Sequence, residues 1–294
     1  MDLNVPRLYE LFLQDRQFLK NCRPKTIRSY RQAWNAFSAH LAGVARADQF
    51  RPALKQAVMA KMSEGRLKPS AINVYIRPMN AFVKWLANEE YIPSPIKPLE
   101  LLKTTKRPIP TLTSQQISRL VSWRPKDVVD RRTHTMALVI LDCGLRLDEC
   151  LSLEQGDVDL ENFLLTVQHG KGDKERKVPL SANGRALLFQ YMRKHPNDVS
   201  SLIFATRTGT KISERNAERD LGALAKALQV PMRWHLLRHT FGTEFIRNGG
   251  NVADLKRILG HASITTTMLY VHNQSSDFVQ KHNGYSPLSK AMRR

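Results

Sequence analysis

The sequence predicts a two-domain protein that is mainly α-helical, with a small antiparallel β-sheet in its C-terminal domain. Apolar side chains recur at helical spacing through the first hundred residues and again from Glu214 onward. Two short strand-like runs flank a polar turn near the middle, and a proline-rich stretch divides the chain. The 294 residues exceed one typical domain and suit two, with 42% hydrophobic residues to fill both cores.

In chain order, YELFLQDRQFL, TIRSYRQAWNAFSAHLAG, PALKQAVMAKMSEG and SAINVYIRPMNAFVKWLANEE make about four helices. Gly43 and Gly65 follow the second and third, while Pro24, Pro52 and Pro69 sit near helix starts, where a missing N–H costs little. Pro78 falls inside the fourth pattern and predicts a kink or break there. The expected domains are a helical one over residues 1–92, a linker over 93–110 containing Pro93, Pro95, Pro98, Pro108 and Pro110, and a second domain over 111–294. Thr113 and Gln116 form a capping box that opens the second domain with a helix. MALVILDCGL predicts a buried helix, and NFLLTVQ and KERKVPL two strands joined by HGKGD. RNAERDLGALAKAL, HLLRHTFGTEFIRNG and VADLKRILG return to helix.

Composition narrows the function. There are 46 Lys and Arg against 26 Asp and Glu, a net charge of +20 that exceeds what solubility requires and points to a polyanionic partner. Residues 1–105 carry 17 basic and 8 acidic side chains and residues 106–294 carry 29 and 18, so both domains are expected to touch nucleic acid. Charge alone does not separate DNA from RNA. No apolar run reaches the ~18 residues of a membrane span and the N-terminus lacks a signal-peptide pattern, so a soluble, cytoplasmic protein is expected. Cys22, Cys143 and Cys150 are odd in number without metal-ligand spacing, which predicts reduced, buried thiols rather than disulfides or zinc.

Four motifs carry chemistry: Cys143-Gly144-Leu145-Arg146-Leu147-Asp148-Glu149; Gly170-Lys171-Gly172-Asp173-Lys174-Glu175-Arg176-Lys177-Val178-Pro179-Leu180; His235-Leu236-Leu237-Arg238-His239; and Leu259-Gly260-His261 followed by Tyr270. A His-x-x-Arg pair alone says little. The order and spacing of all four resembles the tyrosine recombinase, or phage integrase, family, and within it the Xer-like two-domain members. The likeness spans nearly the whole chain, although Thr26, Tyr30, Phe37 and Pro95 of the N-terminal half match far less specifically. It implies a helical core-binding domain followed by a tyrosine recombinase catalytic domain, clamped around double-stranded DNA.

A phosphodiester is an anion that repels nucleophiles, and its transition state concentrates more charge on the non-bridging oxygens. Arg146 and Arg238 suit that charge, because a guanidinium fork donates two parallel hydrogen bonds and stays protonated. The resemblance implies that Tyr270 attacks the scissile phosphate, leaving a 3′-phosphotyrosyl intermediate and a free 5′-hydroxyl that rejoins a partner strand. The bond energy is kept, so neither ATP nor any other cofactor is expected. Lys171 matches the family's general acid for the leaving oxygen, with Lys174, Arg176 and Lys177 as neighbouring competitors for that role; the alternative is that Lys171 is one more phosphate contact. His235 and His261 fill the two family histidine positions, His239 reads as a packing or bracing residue, and Glu149 as an acid that orients Arg146 from behind. No carboxylate cluster at metal-binding spacing accompanies these residues, so cleavage is expected without magnesium.

The resemblance also implies a tetramer assembled on two DNA sites; Phe278 and Val279 of the C-terminal tail VHNQSSDFVQKHNGYSPLSKAMRR either dock on a neighbouring protomer or belong to a frayed basic end. Chromosome-dimer resolvase, phage or integron integrase and transposon recombinase stay open, since they share one mechanism. A type IB topoisomerase uses similar residues, but the two-domain layout argues against it. A catalytically silent DNA-binding or architectural protein of the same fold is the rival from another class.

Overall fold

The computed structural model describes residues 4–41, 43–105, 110–168, 175–194, 200–261 and 263–270. The chain divides into two compact units, Met1–Arg107 and Pro108–Arg294. Each has its own apolar core.

The first unit is built on α1 (Val5–Gln14), α2 (Pro24–Leu41), α3 (Phe50–Ser63) and α4 (Pro69–Asn88), with α1 extended by a single π-turn over Asp15–Leu19. Asn4 caps α1 by accepting from the Arg7 amide at 3.0 Å, one of the first-turn donors with no partner inside the helix. Phe82 of α4 sits at the centre, edge-on to Tyr9 at 4.8 Å and to Phe50 at 4.9 Å between ring centroids. The break expected at Pro78 is absent, and α4 runs through it. Proline removes the hydrogen bond to the carbonyl of Val74, and Val74 is exposed, so water can satisfy that carbonyl at little cost.

The proline-rich stretch has no helix or strand up to residue 105, yet it does not hang loose. Ile92, Ile96, Leu99 and Leu102 pack on the first core. Two asparagines of α4 hold it: Asn80 accepts from the Leu99 amide at 2.9 Å and donates to its carbonyl at 2.8 Å, and Asn73 does the same for Leu102 at 2.8 and 2.9 Å. Seven residues of helix rise about 10.5 Å and three residues of extended chain span about 10 Å, so the two spacings match.

The second unit centres on α6 (Val128–Cys143), which packs against α8 (Ala182–Lys194), α9 (Glu214–Leu228) and α10 (Trp234–Arg247). The Thr113–Gln116 capping box opens α5 (Ser114–Ser122), with bonds of 2.9 and 3.2 Å. α6 begins eight residues before the apolar run that announced it, because Asp127 caps its first turn, whose Val128 and Val129 are exposed. α8 was not read from the sequence. A short α7 (Leu147–Leu151) leads into a three-stranded antiparallel sheet, β1 (Val158–Asp159), β2 (Leu164–Val167) and β3 (Arg176–Pro179), with Leu165 opposite both Val158 and Val178. α11 (Val252–Leu259) and α12 (Ile264–Met268) follow α10. Cys143 and Cys150 lie buried in this unit, and burial raises both thiols; Cys22 is only half-buried. No described helix is long and apolar enough to cross a membrane.

Replacing Asn73 by Ala leaves the half-buried backbone N–H and C=O of Leu102 without their side-chain partner. The substitution is expected to cost about 1–3 kcal/mol in urea unfolding and to speed proteolysis between residues 97 and 105, whereas an unchanged cleavage rate would show that the amide does not hold the segment.

Candidate active site

The site begins with two left-handed turns that end helices. Gly144 (φ 66°) closes α6 and Gly260 (φ 63°) closes α11, where a side chain would be strained. A Cβ at Gly144 would also collide with the Phe241 and Leu259 side chains. The sharp turn after α6 buries Leu145 and leaves Arg146 as the N-cap of α7, three residues before Glu149.

Glu149 is the common partner of three arginines. Its side chain is 3% exposed, and its carboxylate accepts from the Arg146 amide at 2.7 Å, from Arg146 Nη1 at 2.7 Å, and from both terminal nitrogens of Arg176 at 2.8 and 2.7 Å. Arg238 Nη1 lies 3.9 Å from it. Burial alone would raise this carboxyl, but the bonds and charge of Arg176, then those of Arg146, hold it down at about 2. The same three arginines meet the last carbonyls of α11: Arg176 Nε donates to Ile258 at 2.8 Å, Arg238 Nη2 to Leu259 at 2.7 Å and Arg146 Nη2 to Gly260 at 3.1 Å. Carbonyls at a helix C-terminus lack partners inside the helix and carry the negative end of its dipole, so three cations there satisfy both needs. Arg238 Nη1 also donates to Gly144 at 2.6 Å.

Three cations face one carboxylate, an excess of positive charge that suits an anion. Arg146 is the most open of the three, its side chain 29% exposed against 12% for Arg176 and 5% for Arg238. Burial, then the Arg146 charge, lowers Arg238 to about 10, which still leaves it protonated at neutral pH.

His261 joins this group. Its Nε2 lies 3.4 Å from Arg238 Nη2, which can only donate, so Nε2 carries the lone pair and Nδ1–H donates to Thr267 Oγ1 at 3.0 Å. Burial first and then Arg238 push the ring down to about 4, in keeping with a neutral imidazole. The Tyr270 ring lies parallel to that of His261, with centroids 6.4 Å apart and 5° between planes. Tyr270 is 2% exposed and sits against α10, where a Cβ on Gly242 would come within 2.8 Å of its ring. Its hydroxyl is 2.9 Å from His239 Nδ1. Burial raises the phenol above its usual value, opposed by the Arg238 charge.

Of the residues expected at the site, Arg146, Arg238, His261 and Tyr270 are thus brought together. His235 is exposed one turn before His239, with ring centroids 6.1 Å apart. Lys171 lies outside the described residues, as does the whole turn HGKGD. Two residues take places that the sequence did not assign them. Arg176, read as a competitor of Lys171, is committed to Glu149 and α11; it alternates with exposed Lys177 and shares a strand face with buried Val178, a signal available in the pattern. His239 touches the phenol, and the positions 235, 238, 239 and 242 form one helical stripe that could have suggested it.

Residues 110–277 match the phage integrase family. The chain belongs to that family. Membership makes it a tyrosine-type site-specific DNA recombinase in class. Among curated relatives it is 25% identical to tyrosine recombinase XerC of Yersinia pestis over 288 residues, 96% of this chain and 95% of the relative. It is 28% identical to XerC of Vibrio campbellii over 297 residues, 97% and 92% of the two chains. Among solved structures, the Tn1549 transposon integrase in complex with a circular intermediate DNA superposes with a TM-score of 0.78 at 20% identity, over 95% of this chain and 98% of that one. At that identity the likeness speaks for the shared integrase fold alone.

Replacing Glu149 by Gln leaves buried guanidinium groups without their counter-charge and is expected to cost about 3–5 kcal/mol in urea unfolding. The folded-state carboxyl is lowered from 4.5 to about 2, so its contribution is complete above pH 4.5 and fades as pH falls toward about 2. The wild type should therefore lose more stability between pH 5 and pH 2.5 than the Gln variant does; equal losses would show that Glu149 is not the acid-sensitive group.

Proposed function

We propose that this recombinase cleaves and rejoins DNA through a covalent 3′-phosphotyrosyl bond to Tyr270, without a metal ion or ATP. One observation carries the reading: the Tyr270 ring stacks on His261, which in turn contacts Arg238, so the candidate nucleophile belongs to the same cluster as the guanidinium groups. Arg146 and Arg238 hold the scissile phosphate and stabilise the charge that builds on its oxygens, using N–H groups not engaged by Glu149, Gly144, Leu259 or Gly260. Once an anion is bound, His261 takes up a proton and its Nε2–H donates to the same oxygens. His235, exposed at the start of α10, is a further phosphate contact, and Lys171 supplies the proton to the leaving 5′-oxygen.

The partner is double-stranded DNA, in line with the positive charge of both halves of the chain. Two sites are joined within a tetramer of this protein. Residues 271–294, outside the described residues, dock on the neighbouring protomer. The same machinery serves an integrase, a transposon recombinase or a Xer-type resolvase.

A nicked duplex that loses its short leaving strand traps the covalent species. Wild type is expected to form a DNA-linked protein with or without EDTA, and Tyr270→Phe none; an EDTA-sensitive product, or an adduct in the variant, would overturn the mechanism. Arg146→Ala should lower the cleavage rate by about 10²–10³-fold, as loss of one oxyanion donor does, with a smaller change in DNA affinity. Deleting residues 275–294 should leave binding of the first protomer within about threefold while abolishing cooperative binding of the second; retained cooperativity in gel-shift titrations would sink the docking role of the tail.

A further inference from the structure

We propose that His239 is the base that takes the proton from the Tyr270 phenol, a catalytic role in addition to those assigned above. The inference rests on the reading of Tyr270 as nucleophile. The phenol is enclosed, and His239 Nδ1 at 2.9 Å is its hydrogen-bond partner among the described residues. A phenol held neutral by burial must donate its proton to something, and a ring nitrogen with a free lone pair accepts it.

The other two histidines are worse placed for this proton. His261 lies face to face with the phenol, and its nitrogens are turned to Thr267 and Arg238. His235 is exposed, and its ring is 6.1 Å from that of His239. The groups facing His239 are His235 and Arg238 on its own helix, His261 after α11 and Tyr270 after α12, with the Arg146–Glu149–Arg176 cluster behind Arg238. Burial first, then His235 and Arg238, hold His239 below its usual value, which favours the neutral ring; the proposed role places its proton on Nε2 and its lone pair on Nδ1, toward the phenol.

In the cleavage step the Oη–H bond breaks and an Nδ1–H bond forms. The oxygen pair makes the new bond to phosphorus, the bond from phosphorus to the 5′-oxygen breaks, and that oxygen takes a proton from the general acid. In rejoining, the imidazolium returns its proton to the departing phenolate. The Arg238 charge, which adds to burial in holding His239 below its usual value, is offset when a phosphate anion enters, so substrate binding itself makes the ring more basic.

The test is single-turnover cleavage of the nicked duplex by the full chain from about pH 5 to 9, comparing wild type, His239→Asn and His239→Ala. Asparagine can keep a hydrogen bond to the phenol at the position of Nδ1 but cannot take its proton. Wild type should rise with pH and level off once the ring is neutral. Both variants should bind DNA in gel shifts, cleave about 10²–10⁴-fold slower at pH 7 and keep climbing with pH, and added imidazole should partly restore His239→Ala in proportion to its unprotonated form. His239→Asn within about threefold of wild type, with a level profile, would overturn the inference and leave His239 a brace. A second measurement needs no substitution at this position: ¹⁵N NMR of the wild-type imidazole should show Nδ1 unprotonated near pH 7, and an Nδ1–H would equally overturn it. Tyr270→Phe in the same assay separates the two levels. An adduct in that variant, or none with wild type, sinks the nucleophile reading and this inference with it, whereas a Tyr270-dependent adduct with unaffected His239→Asn sinks this inference alone.

Discussion

The second unit turns on one buried carboxylate. Glu149 binds Arg146 and Arg176 directly and stands 3.9 Å from Arg238, and the same three side chains close the last turn of α11. A short helix, a strand, a long helix and a helix C-terminus are thereby tied at a single point. Three guanidinium groups would repel one another in a site this dry without a counter-charge and oriented carbonyls between them. Both are supplied by groups that also complete secondary structure: Glu149 caps the start of α7, and Ile258, Leu259 and Gly260 would otherwise be unpaired carbonyls.

The consequence is a rigid cation cluster that keeps two positive charges in excess even after Glu149 is counted. In the proposed reaction rigidity matters, because a guanidinium already fixed in place needs no reorganisation when charge builds on a phosphate. Arg176 is fixed by three hydrogen bonds and Arg238 by two carbonyls from different helices, while Arg146, held by Glu149 and Gly260, stays the most exposed. Tyr270 is held on the opposite side by packing, its ring wedged between α10 at Gly242 and His261. Close packing and electrostatics thus act on the same few residues, so that changes at Glu149, Gly242 or Gly260 would touch stability and activity together.

The first unit depends on a different device. Its aromatic core is ordinary hydrophobic packing, but the chain leaving α4 is kept on the surface by two asparagines that each serve one residue's amide and carbonyl. Proline-rich chain offers few backbone donors of its own, and side-chain amides are the groups that can pair with those that remain.

The helices, the small sheet and most of the site were legible in the sequence, because periodicity, capping residues and turn chemistry are local. The Thr113–Gln116 box and Gly65, left-handed just past the end of α3, need nothing beyond their neighbours in the chain. Arg146, Arg238, His261 and Tyr270 stood out through order and spacing. Tertiary structure alone decided that α4 passes unbroken through Pro78, since that depends on which carbonyl faces water. It alone turned Arg176 inward to Glu149, although the sequence grouped it with Lys174 and Lys177 as one of several cations by a turn. It alone put His239, and not His235, against the phenol. A pairing between residues tens of positions apart is set by how helices pack, and neither charge nor periodicity along the chain records which of two neighbouring side chains will meet a distant one.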